Sequence, residues 1–272
     1  MKKTKIGLIG TGNMGGALLA GWLSAKVASA GDIRVHDPDP EKLRATTGGF
    51  KVKAAKDNVE LTAWADVVVL AVKPQVIDAV LREIAPAVTA KKLVISIAAG
   101  VPIARIEEEL ASPVSVVRVM PNTPALIGEG VSALAYNGRV KSAGKKTALQ
   151  LLDAVGETVE VPEKMIDAVT GLSGSGPAYV FVLLEALSDA GVRQGLPRET
   201  ANRLAVWTVR GAAGMALQSG RHPGELKDMV TSPGGTTIAG LHALEKGKFR
   251  AVLSNAVAAA TQRSIELGKE KK

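Results

Sequence analysis

Hydrophobic and polar positions divide the chain into two parts. Up to residue 161, short runs of β-branched residues alternate with stretches of helical periodicity. Residues 67–72 are wholly apolar, without polar alternation, which is typical of a strand buried on both faces of a parallel sheet. This alternation predicts a doubly wound α/β sheet of the Rossmann type. The predicted strands are residues 5–9, 33–36, 67–72, 93–97, 114–120, 131–135 and 158–161.

After residue 161 the pattern is helical, so we predict two domains, residues 1–161 and an all-helical domain of residues 162–272. Prolines lie at or near several helix starts. Small residues dominate residues 211–216 and 256–260, where helices could approach closely. The apolar faces exceed the core of a small domain and predict a homodimer; a compact monomeric bundle is the alternative. The predicted helices are residues 177–193, 197–219, 223–230, 236–245 and 249–267.

Composition excludes several classes of site. The 272 residues contain no cysteine, which rules out disulfides, thiolate metal sites and cysteine nucleophiles, and the three histidines show no metal-binding spacing. The formal net charge of +8 suits anionic ligands. Scattered basic residues and 3% aromatic content argue against nucleic acid. Neither a signal peptide nor a membrane span is predicted, so we expect a cytoplasmic protein that binds no membrane.

A glycine fingerprint follows the first predicted strand and opens a helix. Gly10, Gly12 and Gly15 form the pattern GxGxxG. The first glycine permits a tight turn, the second lets a pyrophosphate approach the backbone, and the third allows the helix to pack on the strand. A ligand-free glycine turn is the alternative, but the strand before and the helix after favour a dinucleotide.

Asp37, just past the second strand, is the acidic residue that this fingerprint calls for. A carboxylate there accepts hydrogen bonds from a ribose diol and repels a 2′-phosphate, which favours NADH over NADPH. The alternative is a turn residue before Pro38. Lys73 ends the third strand at the carboxyl edge, where it lies near the cofactor or is merely solvated. Ala98 and Ala99, after the fourth strand, leave room for a nicotinamide ribose.

Residues 230–240 form a hydroxyl-rich, glycine-rich turn that opens a helix. Adjacent glycines and free N–H groups at a helix start favour an anion, and the hydroxyls could orient a small carboxylate. An ordinary helix start is the alternative, with Ser232 as N-cap and Pro233 in the first helical position.

Three blocks together resemble the pyrroline-5-carboxylate reductase family, which carries out the last step of proline synthesis. They are the glycine fingerprint, residues 172–179 and residues 228–240. Residues 71–74, 120–124 and 222–224 extend the resemblance over nearly the whole chain.

The resemblance implies the following roles. The cofactor would be lined by Ile9, Gly10, Thr11, Gly12, Asn13, Met14, Asn58, Ala71, Val72, Lys73, Ala98 and Ala99. The substrate carboxylate and ring nitrogen would be held by Ser232, Gly235, Thr236 and Thr237, and Glu163 would also reach the substrate. The family implies an interlocked helical dimer, often assembled into larger rings such as a decamer, that uses NADPH, NADH or both.

The chemistry agrees with the residues. Hydride transfer to an electrophilic C=N carbon needs orientation, carboxylate capture and a hydrogen bond at nitrogen, but no strong general base. No histidine neighbours the glycine-rich block, and Thr237 is the best hydroxyl candidate for the nitrogen.

Two rivals remain. A β-hydroxyacid dehydrogenase would carry a lysine and an asparagine where this chain has Val180 and Leu184. A dinucleotide-sensing module without catalysis would leave the block at residues 232–237 without a purpose.

Overall fold

The computed structural model describes residues 4–110 and 112–269. Its strands are β1 (Ile6–Ile9), β2 (Ile33–His36), β3 (Lys53–Ala54), β4 (Val67–Leu70), β5 (Leu93–Ser96), β6 (Ser115–Met120), β7 (Gly130–Tyr136) and β8 (Gly156–Glu160). Among the described residues they form one sheet in the order β3-β2-β1-β4-β5-β6-β7-β8. The strand order reverses between β1 and β4, which is the switch point where open α/β sheets bind ligands.

The sheet is parallel except where β7 runs antiparallel to β6. Every residue of β1, β4 and β5 is buried, as expected of strands covered by helices on both faces. The prediction of a doubly wound sheet is therefore confirmed.

The α-helices that the described residues form are α1 (Asn13–Ser24), α2 (Pro40–Phe50), α3 (Asn58–Trp64), α4 (Ile77–Ile84), α5 (Ile103–Leu110), α6 (Ser142–Asp153), α7 (Ile166–Val169), α8 (Gly176–Arg193), α9 (Arg198–Ser219), α10 (Pro223–Met229), α11 (Thr236–Lys246) and α12 (Phe249–Lys269). Two apolar clusters form the core of the sheet part. In one, the buried Trp22 of α1 donates a 2.8 Å hydrogen bond to the Leu151 carbonyl of α6. In the other, α4 buries Ile77, Leu81 and Ile84 completely.

All seven predicted strands and all five predicted C-terminal helices occur, with ends displaced by at most two residues. The prediction missed β3, whose two residues are both exposed. A strand this short and this exposed has no apolar periodicity to recognise.

The described residues form two compact units. The first unit consists of two segments of the chain, one that ends at Ser175 and one that begins at Ala259. The second unit is Gly176–Ala258. The domain boundary at residue 161 stays a prediction. Within the second unit, Arg198 of α9 donates a 2.8 Å hydrogen bond to Ser188 of α8. Of the helices that the structure describes, none is both long and apolar enough to cross a bilayer.

Candidate active site

The fingerprint glycines occupy positions that suit a nucleotide. Gly10 has a φ of +93°, and a Cβ there would come within 2.6 Å of the Ala71 carbonyl oxygen. A Cβ on Gly15 would overlap the Gly10 carbonyl oxygen, so helix α1 packs against the turn only because position 15 lacks a side chain. Gly12 faces open space instead. Gly12 is also the N-cap of α1 and supplies no side-chain cap, which leaves the N–H groups of the first turn for an anion such as a pyrophosphate.

The predicted cofactor-lining residues of β1, β4 and β5 come together at one edge of the sheet. The Ala71 N–H donates to the Ile9 carbonyl at 2.8 Å, and the Ile97 N–H donates to Leu70 at 3.1 Å. These bonds place Ile9, residues 71–73 and residues 98–99 side by side at the carboxyl ends of the strands, next to the glycine turn. Lys73 is exposed there, and Ala98 is buried. Asn13 and Met14 form the first turn of α1.

Asp37 reaches the glycine turn. One carboxylate oxygen, Oδ2, accepts hydrogen bonds from the Thr11 N–H at 2.8 Å and the Thr11 hydroxyl at 3.1 Å. The other oxygen, Oδ1, accepts from the Asp39 N–H at 3.0 Å. A carboxylate has about four acceptor positions, so one remains for a ribose hydroxyl. Asp37 therefore both stabilises its own turn, through Asp39, and lies beside the glycine turn, through Thr11.

Asn58 begins helix α3 and is 7% exposed. Its Nδ2 donates a 2.8 Å hydrogen bond to Glu83 Oε2 on α4, and its buried Oδ1 has no hydrogen-bond partner among the described residues. Because a carboxylate only accepts, Glu83 fixes the orientation of this amide. Glu83 has no sequence motif that could have indicated it.

The hydroxyl-rich loop differs from an ordinary helix start. Helix α11 begins at Thr236 with Gly235 as its N-cap and no side-chain cap, so the interpretation of Ser232 as N-cap is wrong. Gly234 has a φ of +67°, and a Cβ on Gly235 would overlap the Ser232 Oγ. Two glycines are required here, one for the backbone conformation and one for space. Ser232 and Thr236 are exposed and Thr237 is half-buried, next to uncapped N–H groups.

Glu163 lies in a short 3₁₀ turn, Glu163–Met165, beside the sheet. Its Oε1 accepts from the Ile103 N–H at the start of α5 at 2.7 Å and from the buried Arg118 at 3.2 Å. Arg118 belongs to none of the motifs described above, although a lone charge in an apolar strand is a recognisable signal.

The predicted site residues therefore fall into two groups. The glycine turn, Asp37 and the ends of β1, β4 and β5 share one sheet edge in the first unit, which also holds Asn58 and Glu163. Residues 232–237 lie in the second unit. Among residues 4–110 and 112–269, no group of three or more His, Asp or Glu side chains could hold a metal ion.

Comparison with known proteins shows which family models and relatives match this chain. Residues 163–267 match the model of the pyrroline-5-carboxylate reductase dimerisation domain, and residues 5–100 match that of the NADP oxidoreductase, coenzyme F420-dependent family. A pyrroline-5-carboxylate reductase from Methanosarcina acetivorans is 47% identical, with 99% of this chain and 100% of the relative covered.

Solved structures agree. The Coxiella burnetii pyrroline-5-carboxylate reductase superposes with a TM-score of 0.94 at 38% identity, covering 99% of this chain and 100% of that one. The Plasmodium falciparum pyrroline carboxylate reductase, solved with NADP bound, gives a TM-score of 0.89 at 38% identity with the same coverage. Identity and coverage at this level establish that the chain belongs to the pyrroline-5-carboxylate reductase family, as its sequence motifs predict.

Proposed function

We propose that this chain reduces the cyclic imine pyrroline-5-carboxylate to proline with a nicotinamide dinucleotide as hydride donor. The observation that carries the proposal is the start of helix α11. Its N–H groups have no side-chain cap and are flanked by the hydroxyls of Ser232, Thr236 and Thr237, an arrangement that suits a small carboxylate. Membership of the family supports the same activity.

The dinucleotide would lie on the carboxyl edge of the sheet, with its pyrophosphate at the start of α1. Bound there, it supplies the hydride. The residues proposed to hold it are Ile9, Gly10, Thr11, Gly12, Asn13, Met14, Gly15, Asp37, Asn58, Ala71, Val72, Lys73, Ala98 and Ala99. The open space at Gly12 and the absence of a side-chain cap on α1 support this assignment.

The substrate would be held by its carboxylate and by its ring nitrogen. Ser232, Gly235 and Thr236 would bind the carboxylate through hydroxyls and N–H groups. The Thr237 hydroxyl would hydrogen-bond the nitrogen and is the proposed catalytic residue. Glu163 would contact the substrate as well.

The reaction requires little proton transfer by the protein. The carbon of a protonated C=N bond accepts a hydride as the π pair moves to nitrogen. The residues must therefore orient the imine and stabilise the nitrogen as its charge changes, and no strong general base is needed. The half-buried Thr237 beside the helix start is suited to that task.

For the coenzyme, we propose a preference for NADH. The Asp37 carboxylate is held against the glycine turn by Thr11, so its negative charge is fixed beside the nucleotide loop. A fixed carboxylate there would repel the 2′-phosphate of NADPH.

We further propose a homodimer that assembles into a larger ring such as a decamer. Large apolar side chains of the helical unit support association, among them Trp207 at 60% exposed and Leu217 at 85% exposed. The match to the family's dimerisation domain supports it too.

The functional boundary would separate a dinucleotide-binding domain, residues 1–161, from a substrate and dimerisation domain, residues 162–272. The proposed compartment is the cytoplasm, where reduced dinucleotides are available.

Initial rates with pyrroline-5-carboxylate and each of NADH and NADPH test the proposal. Oxidation of either coenzyme with formation of proline is the expected result, whereas a β-hydroxyacid offered with NAD⁺ should not react. Dinucleotide binding without oxidation above background would overturn the proposal in favour of a sensing module.

A further inference from the structure

Arg118 is a charged residue in the middle of an apolar strand. It lies in β6, and its side chain is only 6% exposed. In the sheet it pairs in register with Ser96, the last residue of β5. Arg118 is thus level with the carboxyl edge, directly beside the strand end that leads into Ala98 and Ala99. A guanidinium buried at such a place is costly unless it is paired.

Two carboxylates supply that pairing. Arg118 Nη1 lies 3.2 Å from Glu163 Oε1, and Nη2 lies 3.7 Å from Asp167 Oδ1. Asp167 Oδ1 also accepts a 2.7 Å hydrogen bond from Ser264 of α12, itself 4% exposed. The guanidinium is therefore fixed from two sides.

The pairing leaves Glu163 with one occupied and one unoccupied oxygen. Oε1 accepts from both Arg118 and the Ile103 N–H, which is one of the N–H groups at a helix start that have no partner within the helix. Oε2 has no hydrogen bond among the residues that the structure describes. The Glu163 side chain keeps 34% of its surface exposed, whereas Arg118 is almost fully covered. The carboxylate is held at one end and open at the other.

We infer that Arg118 is a positioning residue for the reduction: it holds Glu163 through Oε1 so that Oε2 is available to the cyclic imine. One guanidinium facing two carboxylates leaves an excess of negative charge, which favours a protonated imine over a neutral one. This inference rests on the proposed function, because it takes the contact between Glu163 and the substrate from there. It adds the residue that fixes the carboxylate.

A double-mutant cycle tests whether Arg118 acts through Glu163. The variants are Arg118→Met, Glu163→Gln and the two combined, assayed for kcat and KM toward pyrroline-5-carboxylate. Arg118→Met should lower kcat/KM about tenfold on its own, and should add less than about twofold when Glu163→Gln is already present. The dissociation constant for NADH, measured by fluorescence titration, should stay within about twofold of the wild type. Arg118→Lys should recover part of the loss, since it keeps the charge.

Losses that multiply in the double variant, or NADH affinity that falls in step with kcat/KM, would overturn the inference and leave Arg118 a structural residue. If Arg118→Met does not fold, the same cycle is run with Arg118→Lys, whose single ammonium group cannot span both carboxylates. Wild-type turnover is measured first. Its absence would overturn the proposed function, whereas normal wild-type turnover with multiplicative losses overturns only the role of Arg118.

Discussion

The Asp37 carboxylate accepts two hydrogen bonds from Thr11, one from the backbone N–H at 2.8 Å and one from the hydroxyl at 3.1 Å. The acidic residue after β2 is thereby tied to the glycine turn that follows β1. Its charge is held beside the loop proposed to carry the nucleotide. The proposed coenzyme preference and the geometry of the loop therefore involve the same side chain.

Asp37→Ser should shift preference toward NADPH by about tenfold in the ratio of kcat/KM values, because a charge near the 2′-phosphate is removed. A serine hydroxyl can still accept from Thr11, so the loop should persist. Asp39→Ser is the matched control: Asp39 caps α2 by accepting from the Glu41 and Lys42 N–H groups, and serine caps helices well. An unchanged NADPH/NADH ratio in Asp37→Ser, or an equal shift in both variants, would assign Asp37 to the turn alone.

The sheet could be predicted from sequence because its central strands are buried on both faces and its loops carry distinctive glycines. The start of α11 at residue 236 could be predicted too, but the turn before it could not. The local rule of serine followed by proline left open a helix from residue 233, whereas the helix begins at Thr236 because Gly234 takes a positive φ and Gly235 leaves space for Ser232. Glycine conformation decided this turn, and capping propensity did not.

The ion pair of Arg118 is a second feature that could not be predicted from the sequence. A lone charge in the predicted strand 114–120 indicates a buried ion pair, but not with which residue. Its partner Glu163 lies 45 residues further along the chain. Apolar periodicity fixes which face of a strand is buried and is silent on which distant turn packs over that face. The contact becomes visible only when the tertiary fold is known.

The glycine fingerprint gives a prediction that separates binding from folding. Gly12→Ala should weaken NADH binding by about tenfold or more while leaving the melting temperature unchanged, because a Cβ there would meet no protein atom and would enter the open space proposed for the pyrophosphate. Gly15→Ala should instead lower the melting temperature, since its Cβ would overlap the Gly10 carbonyl.

Gly16→Ala is the control for these variants. It lies in the same helix, its Cβ would meet nothing within 4 Å, and alanine raises helix propensity. Fluorescence titration and thermal melts of the three variants distinguish the effects. NADH affinity equal to wild type in Gly12→Ala would place the pyrophosphate elsewhere.

The pKa of Tyr136 determines how the free energy of unfolding decreases at alkaline pH. Burial, together with the negative charge of Glu160, raises the pKa of Tyr136 from about 10 to about 12. Between these values the folded protein holds a proton that the unfolded chain has lost, so the free energy of unfolding decreases as pH rises from about 10 to about 12. Tyr136→Phe has no such proton and should show a shallower decrease. Urea unfolding of both proteins at about pH 9 and about pH 11 measures the decrease in the free energy of unfolding. Equal decreases in the two proteins would refute the raised pKa of Tyr136.

Thr237→Ala should reduce turnover more than stability. The Thr237 hydroxyl is proposed to hydrogen-bond the ring nitrogen, more strongly as the π pair moves there, so its loss should appear mainly in kcat and kcat/KM. One such hydrogen bond contributes about 1–3 kcal/mol, which corresponds to a tenfold to hundredfold loss.

Thr236→Ala is the matched control, because Thr236 is exposed at the first position of the same helix and its N–H can still bind the carboxylate without the side chain. It should therefore cost less activity than Thr237→Ala, with both melting temperatures close to wild type. Since no side chain caps α11, neither substitution removes a capping bond, and loss of activity in Thr237→Ala would not reflect a weakened helix start. Unchanged kinetics in a fully folded Thr237→Ala variant would exclude the threonine from the mechanism and leave the nitrogen to another group, with Glu163 the next residue to test.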